Sequence, residues 1–258
     1  MTRHDSAAPG GSPLAPSLAP SGSRLSFPHG NAARLLDAIE REPPPWADET
    51  IRPWDEDRFE RIRRFTRCKR TVPIASIGID RIAGTCHPDY QGRTWREMLR
   101  IGKRMPLNLA EYDRNPGYYE SPAPKDITLV STNGREWWIR EGNHRVCIAR
   151  FHVHYRDLHF LHGVRLIEWI WDRAAFQAFE ALESSIAERG LPWYLDVTRE
   201  PNGETRRNTE HLEFYIPRIV LQRRGESPEV LSAEAAIRLA RRVSRPWWRR
   251  LFPAWGAR

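Results

Sequence analysis

Apolar residues recur every three to four positions in several stretches of the chain, which predicts amphipathic helices. The first runs from Asn31 to Arg41 and ends before three consecutive prolines. The second follows Asp55, a good N-cap, and extends from Glu56 to Lys69 with arginines on its polar face. A third helix is predicted to begin at the capping box formed by Thr94 and Glu97.

Shorter runs of β-branched and aromatic residues predict strands. In the run from Thr71 to Ile77, Pro73 places the strand at a sheet edge or at its own start. Two further runs, Ile127 to Val130 and Trp137 to Ile139, predict a hairpin. The Asn133-Gly134 pair between them suits the two positive φ angles of a type I′ turn.

A helix beginning at Val146 follows the hairpin after a short turn, and Val164 to Trp169 predicts another strand. The predicted order is therefore strand, helix, hairpin, turn, helix, strand. Further on, Asp172 caps a predicted helix that ends near Gly190, the stretch from His211 to Gln222 looks extended, and Ser232 caps a last helix.

This pattern divides the chain into four regions. Residues 1–30 are rich in Pro, Ser, Gly and Ala and are predicted to be a disordered tail. Residues 31–70 form a helical N-terminal extension, and residues 71–171 form an α+β domain with a small mixed sheet. Residues 172–258 are predicted to be mostly helical and to end in a basic, aromatic tail. Within the domain, the stretch from Pro106 to Pro124 is interpreted as a loop, either a lid or an excursion over the site.

Composition narrows the class of protein and its partners. The chain has 41 Lys and Arg against 33 Asp and Glu, a formal net charge of +8, which favours nucleic acid or another anionic partner. No apolar run reaches about 18 residues, so a membrane-spanning helix is not expected. Without a secretory signal the expected location is the cytoplasm, where the three cysteines stay reduced.

The segment from Arg140 to Arg145 carries the clearest chemistry. A strand that enters a glycine turn and then a helix presents unpaired amides backed by the positive end of the helix dipole, which favours an anion. Gly142 permits a positive φ and a close approach of phosphate, and Arg145 supplies a forked, permanent charge. The phosphate-binding residues predicted here are Gly142, Asn143, His144 and Arg145.

Two residues of this turn are catalytic candidates. His144 can donate to a phosphate or transfer a proton, and Glu141 can act as a base or orient a metal-bound nucleotide. The structural alternative is that Gly142 ends a strand, Asn143 caps a helix, and the next two residues are ordinary members of its first turn.

The hairpin, the sequence Glu141-Gly142-Asn143-His144-Arg145 and the following helix resemble the ParB/sulfiredoxin superfamily, over roughly residues 70–171. The resemblance implies an α+β nucleotide-binding domain with helical flanks. It also implies a nucleoside triphosphate ligand, CTP or ATP, with Mg²⁺. DNA is the partner that the positive charge favours, and we expect a homodimer. Asn143 stands where sulfiredoxin needs a cysteine, so sulfinic acid reduction is not implied. A phosphotransferase, a nucleotide hydrolase and a ParB-like nuclease stay as alternatives.

Two other groups of residues suggest a function, a cluster of histidines and the C-terminal tail. His152, His154, His159 and His162 crowd one connection, but we interpret them as polar edges of the helix-to-strand loop and predict no metal. The C-terminal tail interleaves guanidinium groups with indole rings, an arrangement that can track phosphates while stacking bases or lie on an anionic membrane surface. The alternative is that its tryptophans pack on the domain. The predicted nucleic-acid-binding residues are Arg245, Trp247, Trp248, Arg249 and Arg250.

Overall fold

The structure is a computed structural model that describes residues 30–244, and this part of the chain contains seven α-helices and nine strands. The helices are α1 (Asn31–Arg41), α2 (Glu56–Arg63), α3 (Trp95–Ile101), α4 (Met105–Arg114), α5 (Asn143–Tyr155), α6 (Arg173–Glu188) and α7 (Ala233–Ser244). The strands are β1 (Arg52–Pro53), β2 (Thr66–Gly78), β3 (Ile82–Thr85), β4 (Thr128–Ser131), β5 (Trp137–Glu141), β6 (Phe160–Trp171), β7 (Trp193–Arg207), β8 (Glu210–Arg223) and β9 (Glu229–Leu231).

All the strands belong to one mixed sheet with the order β1-β3-β5-β4-β6-β2-β8-β7, in which β9 pairs with β8. The pairs β1–β3, β3–β5 and β4–β6 are parallel, and the other pairs are antiparallel. The predicted α+β class is thus confirmed in its general form. The prediction of a small sheet is wrong, because strands on both sides of the predicted domain extend it.

Two hydrophobic cores lie against this sheet. The larger one packs helices α1, α3, α4 and α5 on the strands β3 to β6, with Trp95, Met98 and Phe151 fully buried. The second packs α6 and α7 on β7 and β8, around side chains such as Leu182 and Leu221. The first core therefore supports the segment from Arg140 to Arg145, since α5 is one of its helices.

The region 172–258, predicted to be mostly helical, differs from that prediction where it is described. Between α6 and α7 lies a long antiparallel hairpin, because Trp193, Leu195 and Val197 alternate along β7 and place one face of it on the second core. The extended stretch predicted at His211 to Gln222 lies within β8, and both predicted helices are present.

Three helices begin at the N-caps that the sequence predicts. Asp55 accepts a hydrogen bond from the amide of Arg58, Thr94 and Glu97 form the predicted capping box, and Asp172 caps α6. The end of α2 was predicted too late, at Lys69. The helix stops at Arg63 because residues 66–70 pair with β6 and β8, so the predicted helical extension 31–70 ends in a strand.

Two connections in the predicted domain differ from expectation. The predicted loop after Pro106 contains α4, because a proline in the first turn of a helix removes no hydrogen bond. The β4–β5 connection is not a type I′ turn, since Asn133 does not have a positive φ. Instead its side chain accepts hydrogen bonds from the amides of Arg135 and Glu136.

Candidate functional site

The turn at Gly142 lies at the carboxyl ends of two parallel strands, β3 and β5. Gly142 has a φ of 86° and joins β5 to α5. The first hydrogen bond of α5 runs from the amide of Val146 to the carbonyl of Gly142, at 2.9 Å. The amides of Asn143, His144 and Arg145 precede it and, within residues 30–244, donate to no protein acceptor. The positive end of the helix is therefore open to a ligand.

Glycine is required at position 142 by the neighbouring chain as well as by its φ. A Cβ atom there would lie 2.8 Å from the carbonyl oxygen of Asp126 and 2.9 Å from the side chain of Ile127. The turn therefore packs tightly against the two residues that precede β4, a contact that explains the glycine without a ligand.

A cavity of about 420 Å³ lies in front of this turn. Its walls carry four permanent cations, Lys103, Arg104, Arg140 and Arg145, and two carboxylates, Asp89 and Glu141. The side chains of Lys103, Arg104 and Arg140 make no ion pair or hydrogen bond with any residue in 30–244. Many arginines elsewhere, such as Arg61 and Arg96, are paired with carboxylates. Unpaired cations that converge on a helix N-terminus suit an anionic ligand.

Arg145 has a partner, but a weak one. Its guanidinium lies 3.6 Å from a carboxylate oxygen of Asp126 and donates to the carbonyl of the same residue at 3.3 Å. The Asp126 carboxylate is 93% exposed, so water screens this pair strongly. A phosphate in the cavity can therefore replace Asp126 as the partner of Arg145 at small cost.

Asn143 is buried and connects two elements of the site. Its side-chain oxygen accepts a hydrogen bond of 2.6 Å from the hydroxyl of Thr85, at the end of β3. The N-cap of α5 is Gly142, so Asn143 is the first residue of the helix rather than its cap. Because the side-chain oxygen is already bonded, any phosphate contact at this residue comes from its nitrogen atoms.

His144 is also buried, and one of its ring nitrogens is occupied. Nε2 accepts a hydrogen bond from the amide of Arg104 at 3.3 Å, which puts the ring proton on Nδ1. Burial lowers the pKa of His144, and the charges of Arg104 and His87 lower it further. The neutral ring therefore holds in place the loop that carries Lys103 and Arg104. With Nε2 bonded, a proton transfer by His144 would first require that bond to break.

Glu141 stands at the exposed rim of the cavity. One of its carboxylate oxygens accepts a hydrogen bond of 2.9 Å from the hydroxyl of Thr128, which orients the side chain. The other oxygen is free to accept from a ligand or from the water of a bound cation. Of the predicted turn, the structure thus brings Glu141, Gly142, Asn143, His144 and Arg145 together around one cavity.

Sequence reasoning missed the cations that face the turn. Lys103 and Arg104 come from the connection between α3 and α4, about 40 positions before the turn, and only the folded chain brings them to it. Their signal in the sequence is a pair of cations after Gly102 with no acidic residue beside them. Arg140 was part of the segment but had no assigned role.

The prediction that the histidines after the turn are loop residues is wrong for two of them, His152 and His154, which belong to α5. His152 lies in α5 with its side chain 1% exposed, between the hydroxyl of Tyr112 at 3.0 Å and a carboxylate oxygen of Glu120 at 3.1 Å. His162 contacts the hydroxyl of Ser76 instead. In the part of the chain described, no three His, Cys, Asp or Glu side chains converge to hold a metal ion.

The predicted nucleic-acid-binding residues Arg245, Trp247, Trp248, Arg249 and Arg250 lie outside the described residues, as does the predicted tail up to residue 29. Among residues 30–244, no helix has the length and apolar character needed to cross a bilayer. Comparison with known proteins finds no matching family model, no matching curated protein and no matching solved structure. The likeness to the ParB/sulfiredoxin superfamily thus stays a prediction that rests on the residues of the turn and its flanking elements.

Proposed function

We propose that the protein binds a nucleoside triphosphate, CTP or ATP, with Mg²⁺, and that the phosphates occupy the cavity in front of residues 141–145. The observation that carries this proposal is the convergence of Lys103, Arg104 and Arg140, all without partners among residues 30–244, on the open N-terminus of α5. A triphosphate supplies the negative charge that this set of groups lacks.

The position of the cavity also supports a nucleotide. Ligands of α/β sheets bind outside the carboxyl ends of parallel strands, which is where β3 and β5 end. The free oxygen of Glu141 fits a role in holding a water of Mg²⁺, a cation that keeps several waters and few protein ligands beside phosphates.

Coupling to DNA is the second part of the proposal. The net charge of +8 favours a polyanion, and the exposed arginines Arg238 and Arg241 of α7 lead directly into the basic tail. In this arrangement the nucleotide site lies at the start of α5, a helix of the first core. The DNA-binding segment follows α7, a helix of the second core.

Calorimetric titration of the full chain with CTP, ATP and tripolyphosphate, each with Mg²⁺, tests the nucleotide site. We expect the double substitution Lys103→Gln and Arg104→Gln to weaken triphosphate binding by about 10-fold or more, because it removes two charge-assisted contacts. The control is Arg224→Gln, which removes an exposed cation that lines none of the cavities described and should leave binding unchanged. If no triphosphate binds, or if the control weakens binding as much, the proposal is wrong.

A further inference from the structure

A second cavity, of about 380 Å³, adjoins the first one. Both have His87 and Arg140 in their walls, so they meet at the carboxyl ends of β3 and β5. A ligand with its phosphates in the first cavity therefore has room for its other end in the second.

The walls of the second cavity are partly aromatic. Trp54, Phe59 and Trp169 line it and pack against one another, with ring centroids 5.0 Å apart and planes at 55° for Trp54 and Phe59, and 5.5 Å apart at 72° for Phe59 and Trp169. We call it the aromatic cavity. The first cavity is walled mainly by charged and polar groups, so the two cavities differ in the way that the two ends of a nucleotide differ.

One polar group of the aromatic cavity lacks a partner within residues 30–244. The exposed carboxylate of Glu56, on α2, makes no ion pair or hydrogen bond in that range. Its neighbour Glu60 is instead paired with Arg63 at 2.6 Å. The indole N–H of Trp169 also has no acceptor there, but its nitrogen is buried away from the open space of the cavity. The cavity thus offers one free, charged acceptor.

We propose that the aromatic cavity holds the base of the nucleotide and prefers cytosine or adenine, which carry an amino group where uracil and guanine carry a carbonyl oxygen. The ring packs on the aromatic side chains, and the amino group donates to Glu56. This inference rests on the proposed nucleotide function. It excludes uracil as a preferred base, because a carbonyl oxygen replaces the amino group of cytosine and faces the carboxylate of Glu56.

The test compares CTP with UTP, which differ in the group at C4 of the base and in the proton on the adjacent N3, by calorimetric titration of the full chain with Mg²⁺. We expect the wild type to bind CTP about 10-fold or more tighter than UTP. In Glu56→Gln the ratio should fall to about 2-fold or less, because an amide both donates and accepts. The control Asp57→Asn makes the same charge change on the same helix, outside the cavity, and should keep the wild-type ratio.

A second variant tests the aromatic wall. Trp54→Leu removes a partly buried ring of the cavity, so it should weaken CTP binding while leaving tripolyphosphate binding unchanged. Equal affinities of the wild type for CTP and UTP, or an unchanged ratio in Glu56→Gln, would overturn the inference while the phosphate site stands. Failure of tripolyphosphate and of every nucleotide to bind the wild type would overturn the proposed function and this inference with it.

Discussion

The hydroxyl of Thr85 donates a hydrogen bond of 2.6 Å to the side-chain oxygen of Asn143, and both residues are buried. The bond joins the carboxyl end of β3 to the first residue of α5. The same hydroxyl accepts a bond from the amide of His87 at 2.9 Å. One threonine therefore holds together the helix start and a residue that lines both cavities.

Replacing Thr85 with valine keeps the shape of the side chain but leaves the Asn143 oxygen and the His87 amide without their partner. We expect the free energy of unfolding to fall by about 1–3 kcal/mol, since each group stays buried or partly buried. Urea titration measures this loss. Thr198→Val, at an exposed position of β7, is the matched control and should change stability by about 0.5 kcal/mol or less. An equally small change for Thr85→Val would show that the bond is not important for stability.

Substitution of Gly142 tests the steric contacts of the turn. Gly142→Ala requires an unfavourable positive φ and brings a Cβ to 2.8 Å from the carbonyl oxygen of Asp126. We expect a loss of at least about 2 kcal/mol in the free energy of unfolding. Gly190 also has a positive φ, of 58°, but open space at its Cβ, so Gly190→Ala should cost only about 1 kcal/mol. Equal losses in the two variants would show that the close contact with Asp126 and Ile127 does not matter.

These contacts also show what the sequence could and could not predict. N-caps at Asp55 and Asp172 were predicted correctly because a cap is satisfied within three residues of itself. For Pro73 the two predicted positions were a sheet edge or the start of the strand. The strand β2 lies inside the sheet and begins at Thr66, but β8 pairs with it only as far as Thr71, so Pro73 lies on a locally unpaired side of it. The length of β2 was not predicted, since its partners lie about 100 and 140 positions further along the chain.

The same distinction applies to the candidate site. The order strand, glycine turn, helix is local, so the position of Gly142 and of the open amides followed from the sequence. The hydrogen bond from the amide of Arg104 to the ring of His144 did not follow from the sequence, because it joins segments 40 positions apart. The sequence therefore predicts a phosphate contact or a proton transfer for His144, and the structure adds that its ring supports the loop of the cavity wall.

The two buried histidines of α5 predict how stability depends on pH. Burial lowers the pKa values of His144 and His152 below the ordinary value of 6.5, and Glu120 partly offsets this for His152. A lowered pKa means that the folded state binds fewer protons than the unfolded state. Stability should therefore be fully present above about pH 7 and be lost as the pH falls through 6.5 toward the lowered values, by at most about 1.4 kcal/mol per pH unit for each histidine.

Urea unfolding between pH 5 and pH 7.5 measures this dependence. His144→Gln and His152→Gln should each flatten the fall in stability below pH 6.5, because each removes one buried group that must take up a proton. His154 lies on the same helix but is exposed, so His154→Gln should leave the slope as it is in the wild type. A slope that neither buried histidine changes would contradict this explanation.

Arg150 is an arginine with a structural role, in contrast to those of the cavity. Its guanidinium lies 4.2 Å from the ring centroid of Trp95 and 4.5 Å from that of Trp46, and it donates to the carbonyl of Ile82 at 2.6 Å. Burial lowers its pKa to about 10. Arg150→Met should reduce the free energy of unfolding by about 2–4 kcal/mol, because it removes the stacked cation and leaves the carbonyl unpaired. Urea unfolding measures the loss, and Arg224→Gln should show almost none.

Deleting residues 245–258 tests the predicted DNA-binding tail. The deletion removes four arginines, among them Arg249 and Arg250, and the indole rings between them. We expect weaker binding of a labelled duplex by fluorescence anisotropy. The slope of log affinity against log salt concentration should fall in magnitude by about one for each lost phosphate contact. Calorimetric titration of the truncated chain with CTP should give the wild-type affinity, because the phosphate cavity lies within residues 30–244.

The matched control replaces Arg206 and Arg207, at the tip of the β7–β8 hairpin, with glutamine. If this control reduces the slope and the deletion does not, the DNA contacts belong to the hairpin and the predicted role of the tail is wrong.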